Sequence, residues 1–245
     1  MRLLAGGVLA WFVAVAGCHD ALEHYPVNPG GGPPGTGGPG VPDAPGVGLD
    51  GAPGTITGRV CLLVDLRRLS TCAVQAPGIT VTLGTSVAIT AADGTFTIQV
   101  PLGSTLVWRV GGANLTTSVI PFSAAAPLLP VIRDADYLDL LTSNGVLLSD
   151  LQGSVVARLV RNGAPLPGAA VAVAPTTPFP VFYDGNSALV WNQNATGPAG
   201  LAWIPGADAT QPLTLAITPA LEPPTSAVQI RVENQAITFV VIDVP

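Results

Sequence analysis

From Thr55 onward, apolar and polar residues alternate with a period of two. Glycine and proline cut the runs before most of them reach helical length. Ile79, Val81 and Leu83 interleave with Thr80 and Thr82, and Phe96, Ile98 and Val100 with Thr97 and Gln99. Successive side chains of a strand point to opposite faces, so each run offers one apolar face to a core. β-branched residues are dense, and turn residues recur about every ten positions, the spacing of an antiparallel sandwich. The pattern predicts roughly six or seven short strands between Thr55 and Ser123. Ala92-Asp93-Gly94-Thr95 is predicted to close a hairpin, because glycine accepts a positive φ without a Cβ clash. Strands resume after Leu151 over Ser154–Val160, Gly168–Ala174, Leu201–Ile204, Pro212–Thr218, Ala227–Val232 and Ala236–Val244. The fold class is all-β, with two tandem β-sandwiches expected.

One segment departs from this period. Asp134 can cap a helix, and Asp136 and Asp139 complement the positive end of its dipole. Tyr137, Leu138, Leu140 and Leu141 supply its apolar face, and Gly145 suits its C-terminal stop. A short helix over Asp134–Ser143 is predicted between the two units. Its three aspartates lack the glycine turn of a calcium loop and read as capping and solubility.

Residues 1–18 contain Arg2, an apolar stretch from Leu3 to Ala16, and then Gly17-Cys18. The stretch suits a signal-peptide core and is short for a membrane span. Its end, Val15-Ala16-Gly17-Cys18, resembles the lipobox of bacterial lipoproteins. The resemblance implies removal of residues 1–17 and acylation of Cys18, and an ordinary secretory signal is the alternative. More than one acyl chain would anchor the protein stably to a membrane. The residue after the lipid site is His19, which by resemblance to lipoprotein sorting favours the outer membrane over the inner. Residues 18–54 are a Gly/Pro-rich tether with too few large side chains to build a core, so a disordered linker is expected.

Both histidines, His19 and His24, precede that tether. The folded part therefore cannot assemble a Ser-His-Asp or Cys-His site, and a zinc site loses its usual nitrogen ligand. Lysine is absent, all nine basic residues are arginine, and the net charge is −6, a balance that argues against a nucleic-acid partner. No catalytic residue, cofactor or metal is expected, and the protein reads as non-enzymatic. Asp184 and Asp208 would serve as a glycosidase acid and base only if folding set them at the required separation. With one cysteine assigned to the lipid, Cys61 and Cys72 remain as a pair that an oxidising compartment can close. The bridge would contribute about 2–3 kcal/mol. Two buried free thiols are the alternative.

A weak repeat links the two units. Ala76-Pro77-Gly78-Ile79-Thr80-Val81-Thr82-Leu83 matches Leu166-Pro167-Gly168-Ala169-Ala170-Val171-Ala172-Val173, and Asp93-Gly94-Thr95-Phe96 is followed less closely by Ala199-Gly200-Leu201-Ala202. A strand, Pro-Gly-x-x-Val-x-Val, Asp-Gly-x-Phe-x-Ile and Val100-Pro101-Leu102-Gly103 together resemble the carboxypeptidase regulatory-like domain. That family is a transthyretin-like, immunoglobulin-like sandwich appended to other proteins without catalytic activity. The implied domains are 55–123, an inter-domain segment 124–150, and 151–245. The second departs by inserting 175–196 and by lacking the aspartate of Asp-Gly. Within the insertion, Tyr183, Trp191 and Asn192 could stack on a sugar and hydrogen-bond its hydroxyls, although aromatics in strands more often fill a core. The expected protein is a lipid-anchored cell-envelope protein, periplasmic or surface-facing, with interaction or structural modules whose expected partner, beside the membrane, is an envelope protein or glycan. A carbohydrate- or peptidoglycan-binding lipoprotein is the alternative.

Overall fold

A computed structural model describes residues 54–69, 74–102, 106–123, 125, 127–224 and 227–245. Residues 1–53, which include Cys18 and the expected signal peptide and tether, lie outside the described residues, as does Cys72.

The first unit comprises β1 (Thr55–Leu63), β2 (Val74–Gln75), β3 (Thr80–Leu83), β4 (Ser86–Ile89), β5 (Thr95–Gln99), β6 (Val107–Gly112), β7 (Leu115–Pro121) and β8 (Leu128–Arg133). Helix α1 (Asp134–Ser143) follows. The second unit comprises β9 (Gln152–Arg161), β10 (Ala164–Pro165), β11 (Ala170–Ala174), β12 (Phe182–Tyr183), β13 (Leu201–Asp208), β14 (Leu213–Thr218), β15 (Val228–Ile230) and β16 (Ala236–Asp243). The described residues are thus mostly strand, in agreement with an all-β sandwich class.

The repeat in sequence is a repeat in pairing. In the first unit β1 lies between antiparallel β5 and parallel β8. In the second, β9 lies between antiparallel β13 and parallel β16. Facing these are β4-β3-β6-β7 in one unit and β11-β14-β15 in the other.

A buried threonine recurs at the same place. Thr90 Oγ1 accepts from Ile79 N–H at 2.8 Å and donates to the Ala76 carbonyl, while its backbone exchanges bonds with Gly78 and Ile79. Thr196 Oγ1 accepts from Ala169 N–H at 2.9 Å and donates to the Leu166 carbonyl, with its backbone bonded to Gly168 and Ala169. Glycine follows four residues later in both. Gly94 (φ 78°) gives its carbonyl to Val60 N–H, and Gly200 (φ 70°) gives its own to Leu159 N–H. A Cβ at either would press on the backbone of the first strand and of the Pro-Gly segment, and the left-handed φ disfavours one in any case.

The Asp93-Gly94 turn does not close the predicted hairpin. β3 pairs with β4 and β6, whereas β5 pairs with β1, so the turn carries the chain from one sheet to the other. Period-two alternation marks which face is buried but not which strand lies alongside.

Helix α1 occupies the predicted span, with Tyr137, Leu140 and Leu141 buried. Leu138 is exposed, contrary to the expected apolar face. Nor does Asp134 cap the helix. Arg133 holds the N-cap position, and Asp134, already in the first turn, accepts from Thr116 Oγ1. Gly145 and Val146 close the C-terminus with bonds to the Thr142 and Leu141 carbonyls, a Schellman arrangement. No helix among the described residues is long and apolar enough to cross a membrane.

The two units are not separate modules. Along β9, β13 and β16 both faces are apolar. Val156, Trp203, Ile237 and Phe239 join the core that contains Trp108, Leu129 and Val131 of the first unit. Val155, Ala157, Ile204, Val240 and Ile242 form a second core with Leu213, Leu215 and Ile217. The three strands β11-β14-β15 cover only one face of this central sheet. Near-continuous apolar strands need cover on both faces, and the first unit supplies the other. β7 completes the junction, pairing with β8 through Leu115–Thr116 and with β16 through Thr117–Val119. One core cluster thus draws residues from both 55–123 and 151–245. The segment 124–150 is no spacer, since Tyr137 donates to Ser154 Oγ on β9 inside the core.

Candidate functional site

The insertion 175–196 was the strongest ligand-binding candidate in the sequence. Its short strand β12 pairs with β13, and Tyr183 forms an isolated bridge with Gln193. This pairing folds the aromatics inward. Trp191 is 1% exposed, its ring meets Trp203 edge-on at 5.8 Å, and its Nε1 donates to the Ala188 carbonyl. Phe182 stacks on Trp203 at 5.0 Å. Tyr183 is 6% exposed, and its hydroxyl accepts from Val171 N–H at 2.7 Å. Burial pushes its phenol above the ordinary range, partly offset by that bond. Of the three residues singled out, Tyr183 and Trp191 are core, while Asn192 is exposed and bonds to the Gln193 amide. They do not converge on one surface, and no buried aromatic face is available to a sugar ring.

Asp184, considered from the sequence as a glycosidase acid or base, serves to hold a turn. In the first unit, Asp93 Oδ1 accepts from Thr95 N–H at 3.0 Å and so fixes the turn after Gly94. Position 199 of the second unit is alanine and cannot do this. Asp184 reaches in from the insertion instead, accepting from Leu201 N–H at 3.1 Å, Gly197 N–H at 2.7 Å and Ala199 N–H at 3.2 Å. The buried carboxylate thereby replaces the missing aspartate of the repeat. Asp208 lies at the far end of β13, roughly 20 Å away at 3.3 Å per residue. Its carboxylate accepts from Thr210 and Gln211, which hold it below the ordinary range. The two carboxyls do not meet the separation of a glycosidase pair.

Cys61 is fully buried on β1, opposite Gln75 of β2 and Pro130 of β8. Its expected partner Cys72, like Cys18, lies outside the described residues. Beside Cys61 the chain turns through Asp65. Burial opposes ionisation of this carboxyl, but hydrogen bonds and charge from Arg67, with a lesser share from Arg68, outweigh it and hold it below the ordinary range. Arg67 Nε and Nη2 donate to Asp65 at 3.0 and 2.7 Å, and Nη1 donates to the Gly185 carbonyl of the insertion at 2.8 Å. This contact ties the first unit to the insertion of the second. Among the described residues, no group of histidine, cysteine, aspartate or glutamate is placed to hold a metal ion.

No protein-family model matches the chain. No curated protein matches it either. Among solved structures it is similar, over 33% of its length, to a chain of a type II cohesin-X-dockerin complex from Acetivibrio cellulolyticus, with 19% identity and a TM-score of 0.22. The match spans about half of that chain, 53%. At this level it says nothing of what the present chain binds.

Proposed function

We propose that the chain is a non-enzymatic, lipid-anchored protein of the cell envelope whose joined β-sandwich units serve as an interaction or structural body. The observation that carries this reading is the N-terminal sequence, an apolar stretch ending in Val-Ala-Gly-Cys and followed by a Gly/Pro tether. A diacylated Cys18 would hold the folded part near a membrane, the outer membrane by the resemblance at His19, at a distance set by the tether. That is roughly 30 Å as a coil and up to about 90 Å extended. The non-enzymatic part is supported by the engagement of Asp65, Asp184 and Asp208 in turns and loops, and by histidines that precede the tether. The recurring Thr90/Thr196 and Gly94/Gly200 networks support two copies of one β-sandwich pattern, and the resemblance to the carboxypeptidase regulatory-like sandwich rests on the sequence motifs. A Cys61–Cys72 bridge belongs to the same reading, since export to an oxidising compartment would close it. Glycan binding is disfavoured by the burial of Tyr183 and Trp191.

The deciding experiment is metabolic labelling with a palmitate analogue, followed by membrane fractionation of the wild type and Cys18→Ser. The wild type should carry label and sediment with outer membranes, and the variant should be an unlabelled precursor. Label on the variant, or none on the wild type, rules the anchor out.

A further inference from the structure

We infer that β4 is a self-pairing edge, through which two copies of this chain join as an antiparallel, two-fold dimer. Among the described residues β4 ends the long strand path β12-β13-β9-β16-β7-β6-β3-β4 and pairs with β3 alone. The bond from Thr90 N–H to the Ile79 carbonyl sets the phase of that ladder. Ala88 opposite Val81 and Ser86 opposite Leu83 are then the hydrogen-bonded pairs. The N–H and C=O groups of Val87 and Ile89 consequently point away from β3. The Val87 and Ile89 side chains, 64% and 68% exposed, stand on the outer face of the sheet, while Ala88 packs on the core.

Proteins blunt their sheet edges with very short strands, charge, proline or cover. Other edge strands among the described residues are so blunted or are polar. β2, β10 and β12 are two residues long, β11 runs into Pro175, β15 runs into Arg231, and β5 exposes Thr97 and Gln99. β4 reads Ser-Val-Ala-Ile and has none of these devices. Across β3 on the same face, the first charge is Arg109 on β6, and Glu233 holds it. A charged partner would find no countercharge on this edge. A second copy fits it. With Ala88 on the two-fold axis, Val87 lies opposite Ile89 of the second copy, and Ile89 opposite its Val87. Each of these pairs exchanges two bonds, so all four outward groups of each copy are met, and valine packs against isoleucine across the strands. The two Ala88 residues form the close pair between them, about 4.5 Å apart at Cα, where a small side chain fits. A chain of net charge −6 repels its own copies, and this neutral edge lets two meet without opposing acids. The symmetry uses up both edges, so assembly stops at two. Four residues from each copy make an interface below about 1,200 Å², so the dimer is weak and reversible.

This inference does not rest on the membrane anchor. Sedimentation velocity of the full chain, with detergent micelles in excess and protein from about 1 μM to about 1 mM, tests it. A reversible monomer–dimer equilibrium is expected. Val87→Pro removes one outward donor but keeps an apolar side chain and the ladder to β3, and should weaken dimerisation tenfold or more. Val87→Lys should do the same if the proline variant loses its β-sheet circular dichroism. Leu147→Lys, at an apolar side chain 85% exposed elsewhere, should change it less than twofold. Under mild oxidation Ala88→Cys should give a covalent dimer, and Gln99→Cys on β5 should not. A chain that stays monomeric over the whole range overturns the inference, even if an extended peptide then pairs with β4. Dimerisation that both Val87 variants leave within twofold of the wild type overturns it too, as does equal crosslinking at positions 88 and 99.

Discussion

Substituting valine for Thr90 or Thr196 tests both the repeated clamp and the union of the two units. Valine keeps the shape of threonine but neither accepts nor donates. Thr196→Val strands the Ala169 N–H and the Leu166 carbonyl, and Thr90→Val strands the Ile79 N–H and the Ala76 carbonyl. Both threonines are only 4% exposed, so water cannot easily replace the lost partners. An unmet buried group costs about 1–3 kcal/mol. Two such groups, partly relieved by local adjustment, suggest a loss of about 2–3 kcal/mol per variant. For a folded body of this size that lowers Tm by roughly 4–12 °C. Serine at either position keeps the hydroxyl and should recover most of the loss. The assay is urea and thermal unfolding followed by circular dichroism and tryptophan fluorescence, with calorimetry to count transitions. Because β16 pairs with β7 and one core serves both units, each variant should shift the same single transition. Two transitions, each moved by only one substitution, would refute the shared-core argument. A loss under about 0.5 kcal/mol in both variants would refute the clamp argument.

Three further outcomes follow from the geometry. Burial pushes the Tyr137 phenol up to about 12, against hydrogen bonding with Ser154 and Trp203, which lowers it. The neutral form is favoured in the folded state, so this stability is complete below pH about 10 and is lost as pH rises from 10 toward 12. Tyr183 shifts in the same direction, so Tyr137→Phe should remove only its own share of the alkaline loss in denaturation from pH 8 to 11.5, and should cost about 1 kcal/mol at neutral pH. Asp184→Ala leaves three backbone N–H groups without their acceptor and should cost about 3 kcal/mol or more in urea unfolding, with Asp184→Asn recovering part. Arg109 on β6 pairs with Glu233 of the second unit, 42% and 29% exposed. A double-mutant cycle on that pair should give a coupling of about 0.5–1 kcal/mol that shrinks in 1 M salt.

The all-β class, most strand positions, the span of α1 and the repeat were legible in the sequence. Period-two alternation, turn residues and the Pro-Gly segments are local signals, and a strand declares its buried face through its own side chains. The inward turn of Tyr183 and Trp191 was not legible, because aromatic residues read the same whether they stack on a ligand or on Trp203. Asp184 was equally hidden, since it serves an N–H group seventeen residues away that the first unit satisfies with a neighbouring aspartate. One long-range sign did stand in the sequence. The apolar residues of Ser154–Val160 and Ala236–Val244 run on both parities, which marks strands covered on two faces. What covers the second face is a property of packing alone. Alternation specifies how much apolar surface each strand must hide, and only the assembled sheets decide that β7 and the first unit's core hide it for β16 and β9.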